Sequence, residues 1–343
     1  PHTMNLLSVK SAFPDASYTQ PECLDSMKGA AFWNELSAAS RKLLERVLSG
    51  DSGIEKRHFC LDELASAWKL GAQGLNEYYE KSAPSLAANA VGKALADASL
   101  NPEDVDALFL SSCTGYLCPG VTSHLAEQLN LRPDVFLQDM TGLGCGAAVP
   151  LIRAAHGVVA ANPDAVVVTV SVEVCSAAFY VENDVGVLVS TCLFGDGAAA
   201  AIWSGRGGSW SVDHFHSLHI PEEREKIRFT NADGKLRNQL HRTVPELAGK
   251  AVSQLYKKRT ADPDVWITHG GGRDVIEQLE KVLPPDRLNN AREVMRNYGN
   301  LSSPSVLVAL EIFLGENNTE AQKPWMCAFG AGFSAHSCEL TRL

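Results

Sequence analysis

Three residues of this chain have side chains and settings suited to nucleophilic chemistry. Cys145 stands between two glycines in "TGLGCGAAVP" (141–150), a stretch without a charge. Flanking glycines let a backbone turn sharply or approach another segment closely. The run that follows, "AAVPLIRAAHGVVAA", has the apolar spacing of a buried helix. A thiol at the start of such a helix lies in the positive end of its dipole, which lowers a cysteine pKa. The competing reading is an inert core thiol, since free cysteine is among the most buried residue types. His269 closes the strand-like run "DVWITHG", and Asn300 stands in "RNYGNLSSPS" ahead of an apolar helix. Each alone has a plain structural reading: a satisfied histidine, or a helix cap that Ser302 or Ser303 would supply as well. Together, a thiol nucleophile, an imidazole partner and an amide donor compose a thiolate site with an oxyanion hole.

The elements that must position these groups alternate as in an α/β protein. Residues 21 to 100 read as a helical region, with amphipathic stretches such as "SLAANAVGKALADASL". "ALFLSSC" reads as a buried strand ending at Cys113, "SHLAEQLNL" as a helix, and "DVFLQDM" as the strand leading into Cys145. "DAVVVTVSVEVCS" is the strongest strand signal, β-branched and apolar on both faces. "TCLFGDGAAAAIWS" supplies a turn at "GDG" and another strand, and "GRGGS" (205–209) marks a seam. The theme then repeats. "PELAGKAVSQLYKK" is helical, "DVWITHG" a strand, "DVIEQLEKVL" a helix, "SPSVLVALEIFL" a buried helix, and "PWMCAFGAGFSAHSCEL" a strand pair. Two successive α/β halves, 4–205 with Cys145 and 206–343 with His269 and Asn300, suggest an internal duplication. Ligands in such sheets bind at the carboxyl ends of strands.

Composition narrows the function classes. A chain of 343 residues suits two packed units or one large α/β domain. A net charge of −10 argues against nucleic acid as a partner. The nine cysteines include no CxxC pair, and Cys113 and Cys118, the nearest two, have no His-x-x-x-His companion, so no metal site is expected. Reduced thiols point to the cytoplasm. No apolar run reaches the roughly 18 residues of a membrane span, and no leader opens the chain. Pro1, His2 and Thr3, ahead of Met4, read as the remnant of a tag.

In order and local context, Cys145, His269 and Asn300 resemble the triad of the type III polyketide synthases. These are the chalcone synthase-like branch of the thiolase-fold condensing enzymes. The resemblance runs from about Leu6 to the C-terminus, through "SSCTGYLCPG", "GLGCGAA", "VEVCSAAF", "CLFGDGAAAA", "ITHGGG", "YGNLSS" and "AFGAGFS". "HGGG" and "YGNLSS" are similar to the plant-type "HPGG" and "YGNMSS" loops, whereas ketoacyl synthase III enzymes carry a "HQAN"-like loop. The resemblance implies a five-layered αβαβα thiolase-like fold and a homodimer. It implies that Cys145 takes an acyl group from a CoA-linked starter, with His269 stabilising its thiolate as an imidazolium. His269 and Asn300 would then donate hydrogen bonds to the malonyl thioester oxygen as CO2 leaves. Malonyl-CoA and an acyl-CoA starter are the implied substrates, with no metal or redox cofactor.

Further positions follow from the same resemblance. Phe194 matches a gatekeeper between the CoA tunnel and the cavity; the alternative is a core aromatic on a strand. Cys113, Thr114, Cys175, Ala178 and Ser302 fall at cavity positions, and Gly271 and Gly272 belong to the loop after His269. Cys118 stands where the plant enzymes place a methionine that reaches across the dimer interface. Cys113, Cys175 and Ala178 replace threonines, which leaves a less hydroxylated cavity open to aliphatic starters. Ala331 replaces a proline of the terminal loop. Asp51 falls near a position that is basic in the family, where Arg41, Lys42, Arg46, Lys56, Arg57 and Arg273 are candidates to hold the CoA phosphates. Two other readings remain: a ketoacyl synthase III-like enzyme making one condensation, and a non-catalytic scaffold, which has no physical need for the three groups together.

Overall fold

A computed structural model describes residues 3–284, 288–316 and 320–343. Pro1 and His2, read above as part of a tag remnant, lie outside the described residues. The strands are β1 (Met4–Ala12), β2 (Ser17–Thr19), β3 (Lys56–His58), β4 (Ala107–Ser111), β5 (Phe136–Met140), β6 (Val167–Glu173), β7 (Gly197–Ser204), β8 (Trp210–His219), β9 (Ile227–Ala232), β10 (Lys235–Leu240), β11 (Val265–Thr268), β12 (Pro324–Gly330) and β13 (Ser334–Arg342). The helices are α1 (Gln20–Lys28), α2 (Ala38–Ser49), α3 (Ser66–Lys69), α4 (Ala72–Asp97), α5 (Val121–Gln128), α6 (Ala148–Ala161), α7 (Val185–Leu193), α8 (Val244–Tyr256), α9 (Arg273–Glu280), α10 (Asn289–Tyr298) and α11 (Ser305–Gly315).

Nine strands join in the order β11-β12-β13-β8-β1-β7-β6-β4-β5. The order carries a repeat. In the first half β4 runs parallel to β6, β6 antiparallel to β7, and β7 antiparallel to β1. In the second, β11 runs parallel to β12, β12 antiparallel to β13, and β13 antiparallel to β8. The first half adds β5 beyond β4, and β1 meets β8 at the join. Helices α6 and α11 pack against strands of both halves, α4 covers the outer face of the first and α8 that of the second. The fold is thiolase-like α/β. One core surrounds α6 and α11, a second lies under α4, and a third under α8 and α9. A fourth cluster forms where α1 and α2 cover Cys145, Cys175 and Phe194.

Burial explains the strands best where both faces are covered. All seven residues of β6 are buried, as its β-branched run predicts. Two elements carry little local signal for the structure they adopt. "VGVLVSTCL", the segment before Phe194, is rich in β-branched residues yet forms α7. Asp184 caps it by accepting from the Val187 N–H at 3.1 Å, and the helix lies beneath the roof formed by α2 and β10. β1 lies inside the sheet although Ser8, Lys10 and Ser11 interrupt its apolar pattern. The Ser8 hydroxyl bonds the Asp97 carboxylate at 2.7 Å, and Lys10 pairs with Asp97.

Candidate active site

The thiol is placed by a turn that only small residues permit. After β5 the chain reverses through Gly142 and Gly144, at φ of 94° and 53°. Cys145 then sits in a single 3-10 turn (Gly144–Gly146) ahead of α6. The end of β12 presses against this turn. A Cβ on Gly330 would lie 2.8 Å from the Cys145 nitrogen and 3.0 Å from that of Gly146. Gly330→Ala should therefore displace the thiol, and a misplacement near 1 Å costs on the order of 100-fold in rate. Initial rates on protein with an intact circular dichroism spectrum check this; an unaltered rate would mean the turn yields freely.

Cys145 is 6% exposed. Burial pushes its thiol up to about 12; the Ser302 hydroxyl bond pulls it back and the Glu173 charge adds to the rise. His269 follows β11, its N–H donating to the Cys327 carbonyl at 3.0 Å and its ring edge-on to Phe329 at 5.1 Å. Its Nδ1 is buried with no hydrogen-bond partner among the described residues, and burial lowers the imidazole to about 4. Both shifts run against the expected thiolate–imidazolium pair. Desolvation favours the neutral form of each group.

Asn300 is held on both sides. Its N–H donates to the Leu193 carbonyl at 2.8 Å, and its own carbonyl accepts from Gly195 at 2.9 Å. The side-chain Nδ2 donates to the Gly271 carbonyl at 3.0 Å, and Oδ1 accepts from the Ser302 N–H at 2.7 Å. These bonds fix which way the amide points and leave one N–H free to donate. Gly271 reaches this position at φ 74°, and Gly272 opens α9. Ser302, at φ 61°, stands in a backbone region that non-glycine residues rarely adopt, where it bonds Asn300 and lines the same cavity as Cys145.

One narrow cavity, about 50 Å³ for the centre of a water molecule, brings together Cys145, Cys113, Thr114, Cys175, Ala178, Phe194 and Ser302. Ala331 also lines it. His269, Asn300, Gly271 and Gly272 are not among its lining residues. Asn300 and Gly271 connect to it through the chain of bonds from Ser302. Cys118 is exposed on the segment between β4 and α5, away from this wall. Phe194 lies on no strand of the sheet; it follows the last residue of α7 and bridges Asn300.

Sequence reasoning missed two parts of the site. Ile227, Arg228, Phe229 and Asn238 of the β9–β10 hairpin line the cavity, with no signal in their mixed composition. Glu173, fully buried at the end of β6, accepts from the Cys113 and Thr114 N–H groups at 3.0 and 3.2 Å and from the Ser303 hydroxyl at 2.8 Å. Burial raises its carboxyl despite these bonds. A lone acid within a β-branched run was the available sign, since an unpaired buried charge needs such donors.

Residues 21–220 match the family model for FAE1/Type III polyketide synthase-like proteins, and residues 216–337 that for the C-terminal domain of chalcone and stilbene synthases. The chain belongs to the type III polyketide synthase family. It is 29% identical to the 1,3,6,8-tetrahydroxynaphthalene synthase of Streptomyces griseus, covering 86% of this chain and 82% of that one. It is 24% identical to the phloroglucinol synthase of Pseudomonas fluorescens, covering 94% and 95%. The crystal structure of the tetrahydroxynaphthalene synthase from Streptomyces coelicolor superimposes with a TM-score of 0.89 at 26% identity, over 98% of this chain and 99% of that one. This type III polyketide synthase is a condensing acyltransferase that acts iteratively, and its family uses CoA thioesters without a separate cofactor. Within it, Arg57 leaves the group of candidate phosphate ligands, because it is 1% exposed and its guanidinium is engaged inside the protein. Arg273 remains at the surface but bonds the Asp51 carbonyl and neighbours Asp274 and Glu277.

Proposed function

We propose that Cys145, His269 and Asn300 carry the condensation in this synthase. The observation that supports this best is that Cys145 and Ser302 line one apolar cavity while the Ser302 N–H bonds Asn300, whose amide is fixed in turn on Gly271. In the first step the Cys145 sulfur attacks the starter thioester carbonyl and its proton passes to His269. CoA leaves as a thiolate, takes that proton back, and the acyl group stays on Cys145. Malonyl-CoA then loses CO2, and the electron pair of the breaking carbon–carbon bond moves onto the thioester oxygen. The neutral His269 ring and the free Asn300 N–H donate to that enolate oxygen, where fixed donors away from water are most effective. The enolate carbon attacks the acyl–Cys145 carbonyl, the Cys145 sulfur leaves, and the chain is two carbons longer on CoA. Return of the chain to Cys145 permits the next round, and ring closure gives a pyrone, resorcinol or phloroglucinol-type product.

The strand-order repeat supports two halves, 4–205 and 206–343, with the thiol in one and its partners in the other. A homodimer fits the free edge of β5, where Phe136 is 54% exposed, and the nearby Tyr116, 80% exposed. We assign Cys118, exposed on the segment between β4 and α5, to the cavity of a partner in that dimer. Nine free thiols favour a reducing compartment, the cytoplasm. The small side chains of Cys175 and Ala178 favour an aliphatic starter. Ala178→Thr should shorten the longest accepted starter; an identical starter profile would remove Ala178 from the specificity wall. The function itself is tested by mass spectrometry of products from malonyl-CoA, alone and with a panel of acyl-CoA starters. Free pyrones or phenols of starter mass plus several two-carbon units are expected, and a thioester with one extension only would overturn the iterative reading.

A further inference from the structure

Arg57 of β3 is a buried cation without a buried anion. Among the described residues no carboxylate lies within ion-pair distance of its guanidinium, a setting that is costly unless every donor is well placed. Three oxygens take that role. Nε donates to Gln20 Oε1 at 2.9 Å, and Nη1 donates to the Thr191 and Phe194 carbonyls, both at 2.8 Å. The rings of Phe59 and Phe179 lie near the guanidinium carbon, at 5.1 and 6.0 Å. Gln20 extends the clamp by donating to the Cys192 carbonyl at 2.8 Å.

The carbonyls so held belong to the end of α7, where they lack partners within the helix and where the dipole favours a cation. The same short segment carries the site. Phe194 lines the cavity, and the groups on either side of it, the Leu193 carbonyl and the Gly195 N–H, bond the backbone of Asn300. Gly299 packs on the stem of Arg57: a Cβ there would lie 3.0 Å from its Cγ and 2.5 Å from the Leu193 oxygen. Guanidinium, Phe194 turn and Asn300 turn therefore form one stack.

We propose that Arg57 is a positioning residue for the condensation, its guanidinium fixing the 191–194 carbonyl edge and, through that edge, the Phe194 ring and the Asn300 amide. The inference rests on the proposed role of Asn300 as an enolate donor. Lysine would keep the charge but lose the planar fork that reaches several oxygens at once, so Arg57→Lys separates geometry from charge.

Two readouts on folded protein test this: CO2 release from malonyl-CoA and alkylation of Cys145. In Arg57→Lys, CO2 release should fall about tenfold or more while alkylation stays within about twofold, because the thiol is held by other elements. Methylguanidinium added to Arg57→Ala should restore part of the lost CO2 release. Unchanged CO2 release in a folded Arg57→Lys overturns the proposal, as does an equal loss of CO2 release and alkylation, the mark of a merely structural role. If neither Arg57 variant folds, Gln20→Leu decides: the same imbalance at smaller size supports positioning, and its absence overturns it. Wild-type enzyme that released no CO2 would instead fault the proposed function, which keeps the two failures distinct.

Discussion

Cys145→Ala is expected to abolish product formation, with a loss beyond about 1000-fold, while malonyl-CoA still loses CO2. The thiol is the only group in the proposed reaction that bonds covalently to the growing chain, and no neighbour can take its place with the same geometry. Cys113 lines the same cavity, but burial and the Glu173 charge hold it well above an ordinary thiol, its N–H and sulfur both facing that carboxylate. In the proposed reaction decarboxylation needs only the enolate donors His269 and Asn300, which the substitution leaves in place. The measurement is a paired assay of CO2 and product masses on wild type and variant. Product formation by Cys145→Ala would remove Cys145 as nucleophile and direct attention to Cys113; loss of both activities would tie the thiol to the decarboxylation step.

Alkylation of Cys145 in the empty enzyme should rise steeply with pH, without a plateau near neutrality. The attacking species is the thiolate. With the thiol pushed up to about 12 and His269 lowered to about 4, the thiolate fraction grows by a factor of ten for each pH unit across the neutral range. Between about pH 6 and about pH 9 the rate should therefore climb roughly 1000-fold, since the fraction follows the gap between pH and pKa. Peptide mass spectrometry resolves Cys145 from the exposed Cys118. A flat rate above about pH 5 would instead describe a thiolate held by an imidazolium, requiring a site more hydrated than the empty structure. The rising profile also implies that the nucleophile is generated when substrate enters and the proton moves, which protects a buried thiol between turnovers.

Much of this protein was legible before any coordinate. The glycines around Cys145, the loop after His269 and the Asn300 turn are local features, and each is needed wherever a backbone must turn tightly beside a reacting group. Buried strands such as β6 and buried helices such as α11 are likewise written in largely apolar runs, because both faces must be covered. The β-branched segment that became α7 was not legible, since its cap at Asp184 and its packing beneath the roof overrode propensity. Nor was the placement of β1 within the sheet, where Asp97, far along the chain, satisfies its polar residues.

The sequence by itself determined which chemistry is present: a thiol, an imidazole and an amide on turns that present them, in a chain of two α/β halves. The tertiary structure alone decided their electrostatic state and their support. Burial depends on what surrounds a group from every direction, so only the assembled fold pushes the Cys145 thiol up and the His269 ring down. The same holds for Arg57, which reads from its neighbours in the chain as a surface cation. Folding places it beneath the Phe194 turn, against carbonyls more than a hundred residues away. Charge and spacing along a chain set what a side chain can do; the contacts that desolvate and orient it are long-range, and they exist only once the layers have packed.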